Sequence, residues 1–210
     1  MCLGRVVTWL VLLLGALLAG CSESTAPDAA RPDAQDAVMN ERREKDQAFK
    51  LDGSPILPEE RGRFRGLSYY PINPDLSFSV PLQRYPAPAQ VRLGTNTGEI
   101  RSGLRYGYFD FQVQGQACRL QAYRLEDAPG SGRPYLFIPF RDATSGRETY
   151  EAGRYIDLKE NTSGIYDLDF NRAYNPSCAY NREYSCPVPP AENTLKVPIR
   201  AGEKKYQHGK

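Results

Sequence analysis

Tyr106–Leu125, YGYFDFQVQGQACRLQAYRL, decides the fold. Two runs, Tyr106–Val113 and Gln116–Leu125, flank Gln114-Gly115, where glycine supplies the positive φ that a two-residue hairpin turn needs. In the second run Cys118, Leu120 and Ala122 alternate with Arg119 and Gln121, which places Cys118 on the apolar face of a strand. Outward from this hairpin, Gly and Pro punctuate further short runs: Leu67–Ile72, Ser77–Leu82, Ala89–Leu93, Ile100–Leu104, Tyr135–Phe140, Arg154–Leu158, Tyr166–Phe170 and Leu195–Ile199. The polar stretch Glu126–Pro134 reads as the loop before Tyr135. No alternating series of long helices accompanies these strands, so the expectation is a mainly β protein: an antiparallel sandwich or barrel with one N-terminal helix.

That helix is expected over 37–51, capped by Asp36 and built from good helix formers. Its apolar stripe is thin. The run Glu41-Arg42-Arg43-Glu44-Lys45-Asp46 reads as a solvated face, with Glu41 and Lys45 at i,i+4 spacing. Residues 52–205 then form a single domain, and 206–210 a disordered tail.

The first 36 residues read differently. Met1–Gly20 has one charge, Arg5, followed by an apolar run and small residues, the pattern of a signal peptide. Leu18-Ala19-Gly20-Cys21 resembles the lipobox of bacterial lipoproteins. The resemblance implies a diacylglyceryl group on the Cys21 thiol, cleavage before it, and an acyl chain of the palmitate type on the new amino terminus. Two or three chains, at about 0.8 kcal/mol per buried methylene, hold a protein stably on a membrane. Ser22 in place of Asp implies the periplasmic face of the outer membrane. Residues 21–36, rich in Ala, Pro, Asp and Ser, read as a flexible tether.

Lys+Arg 27 against Asp+Glu 25 gives a net charge of +2, which excludes a nucleic-acid binder that works by charge. The one histidine, His208, is the third residue from the end, so catalysis that depends on a structured histidine is not expected. What stands out is 137–203, where Asp, Asn, Arg and Tyr interleave and half of the 14 tyrosines cluster between Tyr135 and Tyr184. Here Pro139–Gly146, Glu148-Thr149-Tyr150, Gly153-Arg154-Tyr155, Leu168–Pro176, Cys178-Ala179-Tyr180, Cys186–Pro190, Glu192-Asn193 and Ala201-Gly202-Glu203 resemble domain-of-unknown-function family 1684. The likeness extends back through Ser54-Pro55, Phe64 and Gly66–Tyr70. The family carries no established activity, so the resemblance fixes the domain and leaves the chemistry to the residues.

Those residues suggest one polar pocket lined by Asp142, Glu148, Arg154, Asp169, Asn171, Tyr174 and Asn175, with Thr144, Tyr150, Tyr155, Tyr180 and Asn193 as further candidates. An Arg clamp and tyrosine walls would suit a small polar or anionic ligand. The expected function is a noncatalytic ligand-binding or envelope-interaction module. The alternative is a hydrolase-like enzyme using Asp and Glu carboxylates, such as Asp142 with Asp169, beside Arg154. A structural network satisfying loop backbone groups is the plainer reading of the same residues. Cys178 and Cys186 are the candidate disulfide. A closed metal site needs four ligands, and this spacing offers no second cysteine pair, so no metal and no cofactor is expected.

Overall fold

A computed structural model describes residues 32–126 and 135–208. The expected signal peptide, Cys21, most of the expected tether, residues 127–134 of the expected loop, and the last two residues lie outside the described residues.

Helix α1 (Pro32–Ala48) is followed by seven strands: β1 (Ser77–Pro81), β2 (Gln83–Gly94), β3 (Ile100–Val113), β4 (Gln116–Leu125), β5 (Tyr135–Phe140), β6 (Arg154–Lys159) and β7 (Ile165–Asp169). They form two antiparallel sheets. One has five strands in the order β2-β3-β4-β5-β6, and the other pairs β1 with β7. The fold is mainly β and sandwich-like, with no closed barrel among the described residues.

The β3–β4 hairpin turns at Gln114 (φ 49°) and Gly115 (φ 76°), the paired left-handed residues of a tight hairpin. Ile100–Leu104 and Tyr106–Val113 are one strand rather than two, because a bulge between Arg105 and Gly107 lets the chain bend without leaving the ladder. In β2 the register breaks between Arg84 and Ala89, around Pro86 and Pro88. Prolines are tolerated there because β2 is an edge strand. Two expected strands do not form. Leu67–Ile72 makes only an isolated bridge at Tyr69, and Leu195–Ile199 runs as extended chain whose backbone partners are partly side chains.

Alternation along the central strands divides the core between the two faces of the large sheet. Leu136, Ile138 and Phe140 of β5 join Phe109, Leu120, Ile156, Leu168 and Phe170 in the main core, beneath the β1–β7 sheet. There Phe78 and Phe111 have ring centroids 5.1 Å apart, and Phe109 meets Tyr166 edge-on at 5.6 Å. Phe137 and Tyr155, one residue out of step, point to the opposite face and pack with Tyr123, Leu93, Cys178 and Cys186. Residues 173–195 cover this second face with short 3-10 turns.

Helix α1 begins at Pro32, five residues before the expected start, because proline fits a first helical turn and Asp33 complements the N-terminal dipole. Its charge run is a solvated face only in part: Glu41, Arg43 and Glu44 are exposed, but Glu41, Arg42, Lys45 and Asp46 reach the domain. Arg42 donates to the carbonyls of Tyr70 (2.9 Å) and Asn171 (3.1 Å), Lys45 pairs with buried Glu203 at 2.5 Å, Glu41 pairs with Arg172 at 2.9 Å, and Asp46 accepts from Leu67 N–H at 2.9 Å. The Glu41–Lys45 pairing gives way to these contacts because each reaches a partner on the domain. At the other end Tyr206 packs on Tyr180 at 5.2 Å and His208 reaches Glu60 at 3.2 Å, so 206–208 lie on the domain rather than in a free tail.

Strands β4 and β5 share a single register pair, Tyr123 with Phe137, and Pro139 brings no N–H. Buried Asn193 replaces the missing ladder: its amide donates to the carbonyls of Gln121 (3.0 Å) and Pro139 (2.7 Å), and its oxygen accepts from Gln121 N–H at 2.7 Å. Asn193→Ala would leave three buried backbone groups unpaired, and it should cost roughly 2–4 kcal/mol in urea unfolding. A cost below about 1 kcal/mol would mean that the strands hold together without it.

Candidate functional site

Arg154 opens β6 on the core-facing parity of Ile156 and is fully buried. Its guanidinium donates to the carbonyls of Ile199 (2.8 Å), Ala201 and Glu203 (3.2 Å), and pairs with Asp142 Oδ2 at 2.9 Å. Asp142 Oδ1 accepts from Thr144 N–H (2.8 Å), the Thr144 hydroxyl (2.6 Å) and Ile199 N–H (3.1 Å). The Thr144 hydroxyl also meets that of Thr149 at 2.9 Å. Both terminal nitrogens of the guanidinium and both oxygens of Asp142 are therefore spent on the chain itself, and only Arg154 Nε is left without a partner. Gly202 sits inside this lock at φ +74°, where a Cβ would stand 2.4 Å from Ala173 O.

The other candidates do not converge on it. Asp169 accepts from Asn171 N–H at 2.9 Å and pairs with Arg172 at 2.7 Å, while the Asn171 amide binds both ends of Asn73. Asn175 N–H and the Tyr180 hydroxyl donate to Glu203 Oε2, at 2.8 and 2.6 Å. Glu148 sits at the surface between Arg200 (2.9 Å) and the Tyr70 hydroxyl (3.0 Å), and these bonds, Arg200 foremost, hold its carboxyl down at about 2. Asn193 belongs to the sheet. The single polar pocket is thus corrected to hydrogen-bonded frames within the chain, because Arg154, Asp142, Asp169 and Asn171 each satisfy backbone that the strand ladders leave unpaired. The hydrolase alternative loses its carboxylate pair for the same reason: Asp142 and Asp169 are buried and fully engaged. Cys178 and Cys186 are adjacent free thiols rather than a bridge.

Tyr155 and Tyr174, however, meet in a real concavity. A cavity of about 290 Å³ opens on the second face of the large sheet, lined by Arg101, Leu125, Tyr135, Phe137, Tyr155, Tyr174, Ser185 and Pro187. The rings are set against one another: Phe137 and Tyr155 at 4.7 Å and 74°, Tyr155 and Tyr174 at 5.7 Å and 89°. The Tyr155 hydroxyl donates to Pro187 O, and Tyr155 and Tyr174 exchange both backbone hydrogen bonds, so the covering segment is tied to β6. A larger groove of about 530 Å³ beside Glu148 is walled by Arg147, Lys204, Lys205 and Tyr70, and lacks such a rigid wall.

At the edge of the aromatic cavity the Tyr174 hydroxyl donates to Asp157 Oδ2 at 2.6 Å. Asp157 is exposed at its place in β6, yet the protein crowded around its carboxyl desolvates it and pushes it up to about 6, against the pull of the Tyr174 bond. Sequence reading passed over Asp157, Tyr135, Phe137 and Arg101. The signal was there in alternation: Tyr155 and Asp157 share the parity opposite Arg154 and Ile156. Among the described residues no cluster of His, Cys, Asp or Glu is placed to hold a metal, and no helix is long and apolar enough to cross a membrane.

A sandwich-like antiparallel domain with an aromatic cavity under its covering segment is the class that these features define. The chain belongs to the family described as "Protein of unknown function (DUF1684)", whose model matches residues 62–204. It is similar to an uncharacterized protein from gene locus rrnAC0354 of Haloarcula marismortui, solved by solution NMR, with 37% identity and a TM-score of 0.64. That match covers 82% of this chain and 94% of the other. No curated protein matches the chain.

Two measurements check the site. Arg154→Met leaves Asp142 a buried unpaired charge and strips three carbonyls, so it should cost roughly 3–5 kcal/mol in urea unfolding; retention of wild-type stability would contradict the lock. For Asp157, the folded pKa lies above the ordinary carboxylate value, so its contribution favours folding below about 4 and is lost as pH rises through about 6. NMR titration should find the Asp157 carboxyl midpoint near 6, and Asp157→Asn should flatten the stability profile between about pH 4 and pH 6. A midpoint near 4 would contradict the desolvated site.

Proposed function

We propose that the protein is a lipid-anchored, noncatalytic binding module at the periplasmic face of the outer membrane, taking a small ligand in the aromatic cavity. The cavity carries this reading. Aromatic rings from two strands and the covering segment wall about 290 Å³, a volume at the small end of ligand pockets. Such walls favour a single ring or another flat apolar body through burial and ring contacts. Arg101, paired with Glu99 at 3.5 Å, and Ser185, whose hydroxyl donates to the same carboxylate at 2.5 Å, stand at the rim and favour a polar or anionic group that takes the place of that carboxylate. Engagement of Arg154, Asp142 and Asp169 within the chain argues for binding over hydrolysis. Anchoring rests on Leu18-Ala19-Gly20-Cys21.

Ligand-observed NMR against ring carboxylates, with benzoate as the simplest, is expected to return binders whose shift changes map to Tyr135, Phe137 and Ser185. Tyr135→Ala should weaken them about tenfold or more, equivalent to about 1.4 kcal/mol, while Glu148→Gln leaves them unchanged. Binders that map instead to the Glu148 groove would contradict the assignment. For the anchor, labelled palmitate should enter the wild-type chain and not Cys21→Ser; equal labelling of both would remove the lipid from the reading.

A further inference from the structure

Cys178 lies in the 3-10 turn Ser177–Ala179, and Cys186 lies eight residues on, just before Pro187. Both are buried, at 3% and 7% exposure, in the apolar cluster that holds Phe137 and Tyr155. The Cys186 sulfur accepts from Cys178 N–H at 3.2 Å, and the Cys178 thiol and the Ser177 backbone beside it pull the Cys186 thiol below its ordinary pKa. Arg101 adds positive potential from the cavity rim. These donors favour negative charge on the Cys186 sulfur and hold the Cys178 proton in place, so the two thiols are chemically unequal. The Tyr150 hydroxyl is aimed at the Cys178 sulfur from 3.7 Å.

Their position matters as much as their contact. Ser185 and Pro187, the neighbours of Cys186, line the aromatic cavity. One side of this rim is fastened to the β2–β3 end of the sheet: Cys186 N–H donates to Asn96 Oδ1 at 2.7 Å, Asn96 N–H donates to Cys186 O at 3.2 Å, and Val188 N–H donates to Gly94 O at 2.8 Å. On the other side the cysteine pair joins the rim to the turn that follows Tyr174 and Asn175.

We propose that Cys178 and Cys186 form a redox pair, Cys186 attacking and Cys178 resolving, whose disulfide fastens the rim of the aromatic cavity. With a hydroperoxide as oxidant, the Cys186 sulfur attacks the terminal peroxide oxygen. The O–O bond breaks, Cys186 becomes a sulfenic acid, and the other oxygen leaves as water or alcohol after protonation. The Cys178 sulfur then gives up its proton and attacks the Cys186 sulfur. The S–S bond forms, the S–O bond breaks, and the departing hydroxide takes up a proton to leave as water. Two thiols lose two electrons and the hydroperoxide gains them. A dithiol reductant reverses the step through a mixed disulfide. The redox step stands without any ligand; only its consequence at the rim bears on the binding reading.

The test uses the full-length chain treated with hydrogen peroxide, trapped with iodoacetamide and digested with trypsin, which cuts after Arg182 between the two cysteines. The expected product is the Cys178 and Cys186 peptides joined, with alkylation lost at both and restored by dithiothreitol. In Cys178→Ser, dimedone should label Cys186; in Cys186→Ser, Cys178 should stay unlabelled. Oxidation of the wild-type chain should also shift the amide signals of Ser185 and Asn96. Separate alkylated peptides at peroxide levels that oxidise Cys118, or preferential labelling of Cys178, would overturn the redox pair. A joined product that leaves Ser185 and Asn96 unshifted would overturn the fastening of the rim, and would leave the ligand-binding reading to its own experiment.

Discussion

Buried Arg154 is the constraint on which the rest of this domain depends. One guanidinium gathers the carbonyls of Ile199, Ala201 and Glu203 and is neutralised by Asp142. A cation so far from water is tolerable only when its charge and most of its donors are met, which explains why the segments that meet it are long and rigidly specified. Residues 195–203 form no strand of their own, and Arg154 with Asp142 supplies what a ladder would have supplied. Gly202 makes the close approach to Ala173 possible, and Glu203, positioned by that approach, receives Lys45, Tyr180 and Asn175. The helix, the covering segment and the C-terminal segment therefore meet at one connected polar network.

That network leaves the second face of the sheet free to be shaped by aromatic packing. Residues 173–195 are fixed at Tyr174 by β6, at Asn193 by β4 and β5, and at Cys186 by Asn96. Between these fixed points the chain arches over Phe137, Tyr155 and Tyr135, and the cavity is the space under the arch. Polar residues build the frame here and aromatic residues build the concavity, which reverses the roles that their chemistry first suggests.

The fold was legible because strand alternation and turn chemistry are local. Gln114-Gly115 fixes the central hairpin, and eight of the ten expected runs fall on strands. Leu195–Ile199 was misread because its apolar residues alternate as a strand would, while only Leu195 and Val197 bond backbone, at Arg141 and Ala143, and Ile199 turns to the Asp142 and Arg154 side chains. The charged face of α1 was misread because a salt bridge to solvent-exposed neighbours and one to buried Glu203 look alike in sequence. At the site, dense Asp, Asn and Arg drew attention to the frame. The same parity argument that buries Arg154 places Tyr155 and Asp157 on the other face, yet linear order gives no measure of how Tyr135, Phe137 and Tyr174 converge.

Native-state hydrogen exchange, resolved by residue, tests the central claim most directly. The amides of Ile199, Asn175 and Glu203 are bound to Asp142, Glu203 and Ala173 within the network. If Arg154 locks these segments into the core, all three should exchange only through global unfolding, with protection equal to that of Leu120 and Ile138 in the main core. Exchange of these amides through local opening, while Leu120 and Ile138 stay protected, would show that the C-terminal segment moves independently and would contradict the lock.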